Sequence, residues 1–182
     1  PRDDLITQLV QVEEAGDRLT TDELRANVNL LFAAGHETTV NLIGNGFLSL
    51  LSHPQQWRTL RDDPSLISNA IEEILRFESP VQAVARSVAE TVVLSGIALQ
   101  PPAIVVALIG AANRDPARHA HPDALDVARE DVGSLSFGSG PHACIGAALP
   151  RMEAQAVFGA LLRRWPGLRS ADDVAQWNGN PV

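Results

Sequence analysis

Phe137-Gly138-Ser139-Gly140-Pro141-His142-Ala143-Cys144-Ile145-Gly146 is the stretch on which the reading of this chain turns. Glycines at 138 and 140 permit a tight backbone whose amide N–H groups can turn inward. The one cysteine of the sequence follows, and the residues after it read as a helix from Ile145 to Arg164. A helix N-terminus offers free N–H groups and a positive dipole end, both of which stabilise a thiolate at Cys144. A lone cysteine is more often a small core hydrophobe, so the pattern around it has to decide. Two rival motifs fail. Gly138-x-Gly140-x-x-Ala143 formally fits a dinucleotide fingerprint, but it contains Pro141 and has no acidic residue near Leu161. Ser139 lies directly between glycines, whereas a nucleophile elbow sets its glycines two residues to either side.

Outward from the loop, the composition is that of a globular protein. The 182 residues are 45% hydrophobic and 20% charged, with a formal net charge of -8. No run of Lys or Arg marks a nucleic-acid or membrane-surface patch, so neither partner is expected. A single cysteine excludes an internal disulfide framework and makes the cytoplasm the default compartment. The apolar stretch Val28 to Leu51 is interrupted by Asn29, Glu37, Asn41 and Asn45, which makes a poor membrane span. Pro1-Arg2-Asp3-Asp4 has neither an initiator Met nor an apolar leader core, as expected of a fragment or a trimmed chain.

The segment Asp17 to Leu24 carries a helix start, with Thr20 as N-cap and Glu23 three residues on forming a capping box. The helix is expected to run to about Ser52, where His53-Pro54 closes it. Further helices are expected over Pro54 to Arg61, Ser65 to Phe77 and, briefly, Ala107 to Ala112. Strands are expected over Val84 to Val88 and Ile104 to Val106, with a hairpin of Val92 to Leu94 and Ile97 to Leu99 about a Ser95-Gly96 turn. Asn113 to Leu135 reads as loop and the tail after Pro166 as irregular. The fold class is mainly α with a small β-sheet.

Ala34-Gly35-His36-Glu37-Thr38-Thr39 places polar groups in the middle of the long helix. Thr38 can bond back to the carbonyl of Ala34 beside the hollow left by Gly35, which suits proton delivery. Helix packing at Gly35 and a solvated face at Glu37 are equally open readings. His36-Glu37 begins a zinc-protease motif, but position 40 is Val40. Glu73 and Arg76 stand one helical turn apart, a spacing that is commonplace on surface helices.

Taken together, these segments resemble the C-terminal half of the bacterial cytochrome P-450 family. Phe137, Gly140, Cys144 and Gly146 match its haem-binding signature F-x-x-G-x-x-x-C-x-G at every fixed position. Residues 34–39 are similar to its central-helix motif, and Glu73-x-x-Arg76, then Asn113-Arg114-Asp115-Pro116, follow in the family's order. The resemblance implies the family's haem-binding fold portion, a single partial domain over 1–182 that lacks the N-terminal half and the last strands. Such a piece is expected to expose an apolar haem-facing surface.

The resemblance also implies heme b (iron protoporphyrin IX) with Cys144 as the metal ligand, where the thiolate favours O–O cleavage and Phe137 shields the sulfur. Phe137, Gly138, Ala34 and Gly35 would border the cofactor. Arg86 and His142 would hold its propionates, because Arg matches a carboxylate with two parallel donors. Thr38 and Glu37 would manage protons, and the Glu73–Arg76 pair would lock the core. Val81 to Ala85 would line the pocket of a small organic substrate, and a ferredoxin or flavodoxin-type donor would supply electrons, with Arg151 as a contact or a solvated charge. The implied activity is a monooxygenase; the alternative is an inert haem-binding or interaction fragment derived from one. Two positions depart from the family. Ala124-Leu125 stands in place of Arg-Phe, leaving the third charge of the Glu–Arg network unassigned. Pro150 stands where Ala is usual, and its missing N–H is expected to spoil a bond to Gly146.

Overall fold

The computed structural model describes residues 2–11, 13–14 and 17–171. The chain divides into two compact units, Pro1–Glu37 and Thr38–Val182, and the division falls inside one long helix.

The first unit holds α1 (Leu5–Gln11) and a two-stranded antiparallel pair, β1 (Glu13–Glu14) with β2 (Asp17–Arg18). Asp17 and Arg18 are therefore strand, and the helix begins at Thr21, directly after the expected N-cap Thr20. From there α2 (Thr21–Ser52) runs without interruption through Gly35. The capping box closes reciprocally. Thr20 N donates to Glu23 Oε2 at 2.8 Å, and Glu23 N donates to Thr20 Oγ1 at 3.2 Å. These bonds satisfy two of the donors that a helix start leaves orphaned, and they hold the Glu23 carboxyl below the usual carboxylate range.

The second unit is built on the C-terminal part of α2, α3 (Pro54–Asp62), α4 (Ile67–Phe77) and α6 (Ala148–Arg164). Leu42 and Leu50 of α2, Trp57 and Leu60 of α3, the Ala70, Ile71, Ile74 and Leu75 face of α4, and Ala154, Phe158 and Leu162 of α6 form one core. Leu125 and Val127 join it from the long loop. Gly46 marks the tightest crossing: a Cβ there would stand 2.9 Å from both Ile74 Cγ2 and Phe158 Cζ. The indole of Trp57 donates to the carbonyl of Pro166 at 3.0 Å, tying the end of α6 to α3.

The helix expected from Ser65 begins as a 3₁₀ turn, Pro64–Leu66, and becomes α-helical at Ile67. Asp63 caps that turn, its carboxylate accepting from Ser65 N at 3.1 Å. The small-sheet expectation resolves into separate antiparallel pairs. Strand β3 (Ala83–Ser87) lies against β6 (Ile104–Leu108), with Arg86 opposite Val105. β4 (Val92–Leu94) pairs with β5 (Ile97–Leu99) as expected. Ser95 and Gly96 turn the hairpin at φ of +50° and +82°, the left-handed pair that matches strand twist. Ala107 and Leu108 belong to β6, so α5 (Ile109–Ala112) is shorter than expected. No described helix is long and apolar enough to cross a membrane.

Candidate functional site

The site is a loop held on one helix, α4. The heart of its support is Glu73 and Arg76, both fully buried. Arg76 meets the carboxylate with two donors, Nε to Oε2 at 2.7 Å and Nη2 to Oε1 at 2.8 Å. A buried pair repays its desolvation only when its remaining valences are used. Here they are: Asp126 N donates to Glu73 Oε1 at 3.0 Å, and Arg76 Nη1 donates to the carbonyls of Asn113 at 3.0 Å and Pro122 at 2.8 Å. Arg129 supplies the third charge, Nε to Glu73 Oε2 at 3.0 Å. The expectation that Ala124-Leu125 leaves this charge without a residue is thus corrected. Ala124 contributes its carbonyl, which accepts from both arginines, and Leu125 is core.

Asn113 carries this network to the cysteine loop. Its amide nitrogen donates to Ser79 Oγ at 2.7 Å and Ser136 Oγ at 3.0 Å, and its side-chain oxygen accepts from Leu135 N at 2.7 Å. Ser136 Oγ also donates to the carbonyl of Leu75. The residue before Phe137 is therefore bolted to α4. Gly138 and Gly140 take φ of +68° and +70°, where an ordinary side chain would be strained. A 3₁₀ turn, Gly140–His142, then brings the chain back, and Cys144 N donates to the carbonyl of Phe137 at 2.9 Å. That bond closes the loop and brings two of the expected site residues together. Cys144 is exposed.

Beyond the sulfur, Ile145 to Ala147 form a turn and α6 begins at Ala148. The helix expected from Ile145 starts three residues later, which also removes the difficulty at Pro150. It is the third helical residue, where an N–H has no partner within the helix. Arg151 is half-buried and ion-paired rather than a freely solvated charge. Its guanidinium donates to both carboxylate oxygens of Glu72 on α4 and to the carbonyl of Ala147 at 2.9 Å, and lies 4.2 Å from the centre of the Phe137 ring. The hydrogen bond to Glu72 holds Arg151 more firmly protonated than usual, with a smaller contribution from Cys144.

The other expected residues take these places. His142 is the last residue of the 3₁₀ turn and is exposed; a Cβ on Gly138 would come 3.7 Å from its carbonyl oxygen. Arg86 is exposed on β3, where its Nη1 donates to the Ala85 carbonyl at 2.8 Å. Ala34, Gly35 and Glu37 are exposed in the first unit, and Thr38, half-buried, opens the second. The helix backbone sets these four within two turns of each other. Glu37 is thus solvated here and is not a buried carboxylate.

The cysteine loop would suit a haem whose iron is held by the Cys144 sulfur. The donor set is one sulfur: among the described residues no three His, Cys, Asp or Glu converge as metal ligands. A Cβ on Gly140 would meet nothing within 4 Å, which leaves an open face on the cysteine loop. Ile145, beside the cysteine, is a large apolar side chain at 97% exposure, surface of the kind a flat apolar ring covers.

Comparison with known proteins follows the same line. The family model described as Cytochrome P450 matches residues 1–168. The chain is 52% identical over 180 residues to Cytochrome P450 107B1 of Saccharopolyspora erythraea, covering 97% of this chain and 44% of that protein. The solved structure of the Bacillaene Polyketide Synthase Cytochrome P450 PksS of Bacillus subtilis superposes with a TM-score of 0.94 at 41% identity, covering 100% of this chain and 47% of that one. P450BioI, solved in complex with a hexadec-9Z-enoic acid ligated acyl carrier protein, gives a TM-score of 0.89 at 46% identity over 94% of this chain and 44% of that one. The chain spans a little under half the length of the relatives it matches.

Proposed function

The chain belongs to the cytochrome P450 family, and we propose that it forms the haem-binding portion of a cytoplasmic monooxygenase acting on a small organic substrate. The observation that carries this reading is the closed loop around Cys144, with two left-handed glycines and the amide bond back to Phe137. Cys144 would ligate the iron of heme b through its thiolate. The bound haem would supply the redox chemistry that puts one atom of dioxygen into the substrate and reduces the other to water.

The chain's own residues do the rest. Phe137 would shield the sulfur once haem is bound, and Gly138 lets the loop bend without a side chain in the way. Arg86 and His142 would hold the propionates as hydrogen-bond donors; both are exposed, and among the described residues neither forms an ion pair. Ala34 and Gly35 would leave room beside the ring, and the Thr38 hydroxyl and Glu37 carboxylate would hold and pass protons. Val81 to Ala85 would wall the substrate. Electrons would come from a ferredoxin or flavodoxin-type donor.

The absorption spectrum of the reduced, carbon-monoxide-bound protein tests the reading. A red-shifted thiolate Soret band that disappears in Cys144→Ala is the expected result. Failure to take up haem, or an unchanged band in Cys144→Ala, overturns it; the first of these outcomes would favour an interaction fragment.

A further inference from the structure

Arg151 lies in the first turn of α6, where a long side chain leans back toward the helix N-terminus. That lean brings its guanidinium over the turn that leaves the cysteine. Three different partners use it at once: the Glu72 carboxylate by two donors, the Ala147 carbonyl at 2.9 Å, and the face of Phe137 at 4.2 Å from the ring centre. Glu72 is the neighbour of Glu73 on α4, so one helix holds the loop at both ends. Glu73–Arg76 and Asn113 secure its entrance, and Glu72–Arg151 secures its exit.

We propose that Arg151 is a positioning residue for Cys144: its planar fork fixes the Ala147 exit and the Phe137 ring together, and so keeps the sulfur in the ligating arrangement. The inference rests on the haem-thiolate reading. Lysine cannot replace it, because an ammonium is a compact point charge that cannot meet a carboxylate with two parallel donors while stacking on a ring.

The test uses the haem-loaded protein and follows the reduced, carbon-monoxide-bound Soret band with time. Arg151→Gln is expected to convert from the thiolate form to the short-wavelength form about tenfold faster, the usual scale for loss of a residue supporting a metal ligand. Arg151→Lys is expected to behave like Arg151→Gln. Glu72→Gln breaks the same ion pair but leaves the Ala147 and Phe137 contacts, so it should lose comparable thermal stability and convert more slowly than Arg151→Gln. Equal conversion in Glu72→Gln and Arg151→Gln assigns the effect to general destabilisation and overturns the proposal. Wild-type behaviour of Arg151→Lys, or of Arg151→Gln, overturns it as well. Absence of any thiolate band in the unmutated protein is a different failure, that of the haem-thiolate reading itself.

Discussion

Arg129 sets its Nε 3.0 Å from Oε2 of Glu73, a carboxylate that Arg76 already grips with two donors. The two guanidiniums are not equivalent. Arg76 is fully enclosed, whereas Arg129 reaches in from the long loop and keeps 13% of its side chain exposed. Removing Glu73 leaves a cation sealed without its counter-charge, and removing Arg129 leaves a pair that is still neutral.

Glu73→Leu is therefore expected to cost about 3–5 kcal/mol, the scale for breaking a buried pair. Arg129→Met should cost about 1–3 kcal/mol, the scale of hydrogen bonds to charged groups. Urea unfolding of the two variants measures the difference. Equal losses would show that Arg129 carries as much of the network as Glu73 does.

His119 gives the fold an acid-side weakness. It is 3% exposed, its Nδ1 has no partner, and its backbone N–H donates to the carbonyl of Asp115. Burial lowers its pKa first, and Arg76, Arg118 and Arg129 lower it further against the opposing pull of Glu73; Asp131 is the other charge coupled to it. Above the ordinary histidine range, about pH 6.5, both folded and unfolded forms are neutral and His119 contributes no pH dependence. As pH falls through that range the unfolded chain takes up the proton first, so stability drops until the lower folded pKa is passed. His119→Phe should flatten the stability profile between about pH 5 and 7 relative to the unmutated protein. Parallel profiles would exclude His119 as the source.

Asn113 is the only side chain that touches Ser79, Leu135 and Ser136 together, among the described residues. Asn113→Ala removes the hydrogen bonds that this fully buried side chain makes to Ser79, Leu135 and Ser136 and should lower stability by about 1–3 kcal/mol. Because Ser136 precedes Phe137, the same variant should also release haem sooner, read by transfer to apomyoglobin. A stability loss with unchanged haem release would detach Asn113 from the loop.

Gly46→Ala tests the α2 crossing. The added Cβ would sit 2.9 Å from Ile74 and Phe158, both in the packed core. Overpacking of this kind costs about 1–3 kcal/mol. Gly35→Ala, where a Cβ meets nothing, should leave stability unchanged or slightly raised through helix propensity. Thermal unfolding compares the pair, and similar shifts would contradict the packing.

Local chemistry was readable wherever the deciding residues are neighbours. Thr20 with Glu23 and Ser95 with Gly96 carry their own geometry, and the structure repeats both. Boundaries that depend on partners far along the chain were not. Ala107 and Leu108 look helical in isolation, but their pairing with Val84 and Ala83 makes them strand. The delayed start of α6 follows from the turn after Cys144, and it explains Pro150 without any lost bond. Arg129 is separated from Glu73 by 56 positions and Arg151 from Glu72 by 79, so no local periodicity could have matched them. The pattern of the cysteine loop was legible; the bonds that hold it were not.

That both ends of the loop hang from a single helix bears on how such a protein could be diversified. Among the described residues, none of the bonds linking α4 to the loop passes through β3 or β6, so randomising Val84, Ala85, Val105 or Val106 alters what lies along that ribbon while the cysteine loop is inherited intact. On the haem-thiolate reading, a library confined to those four positions, which leaves Arg86 in place, should alter what the ribbon accepts without a matching toll of haem-free clones.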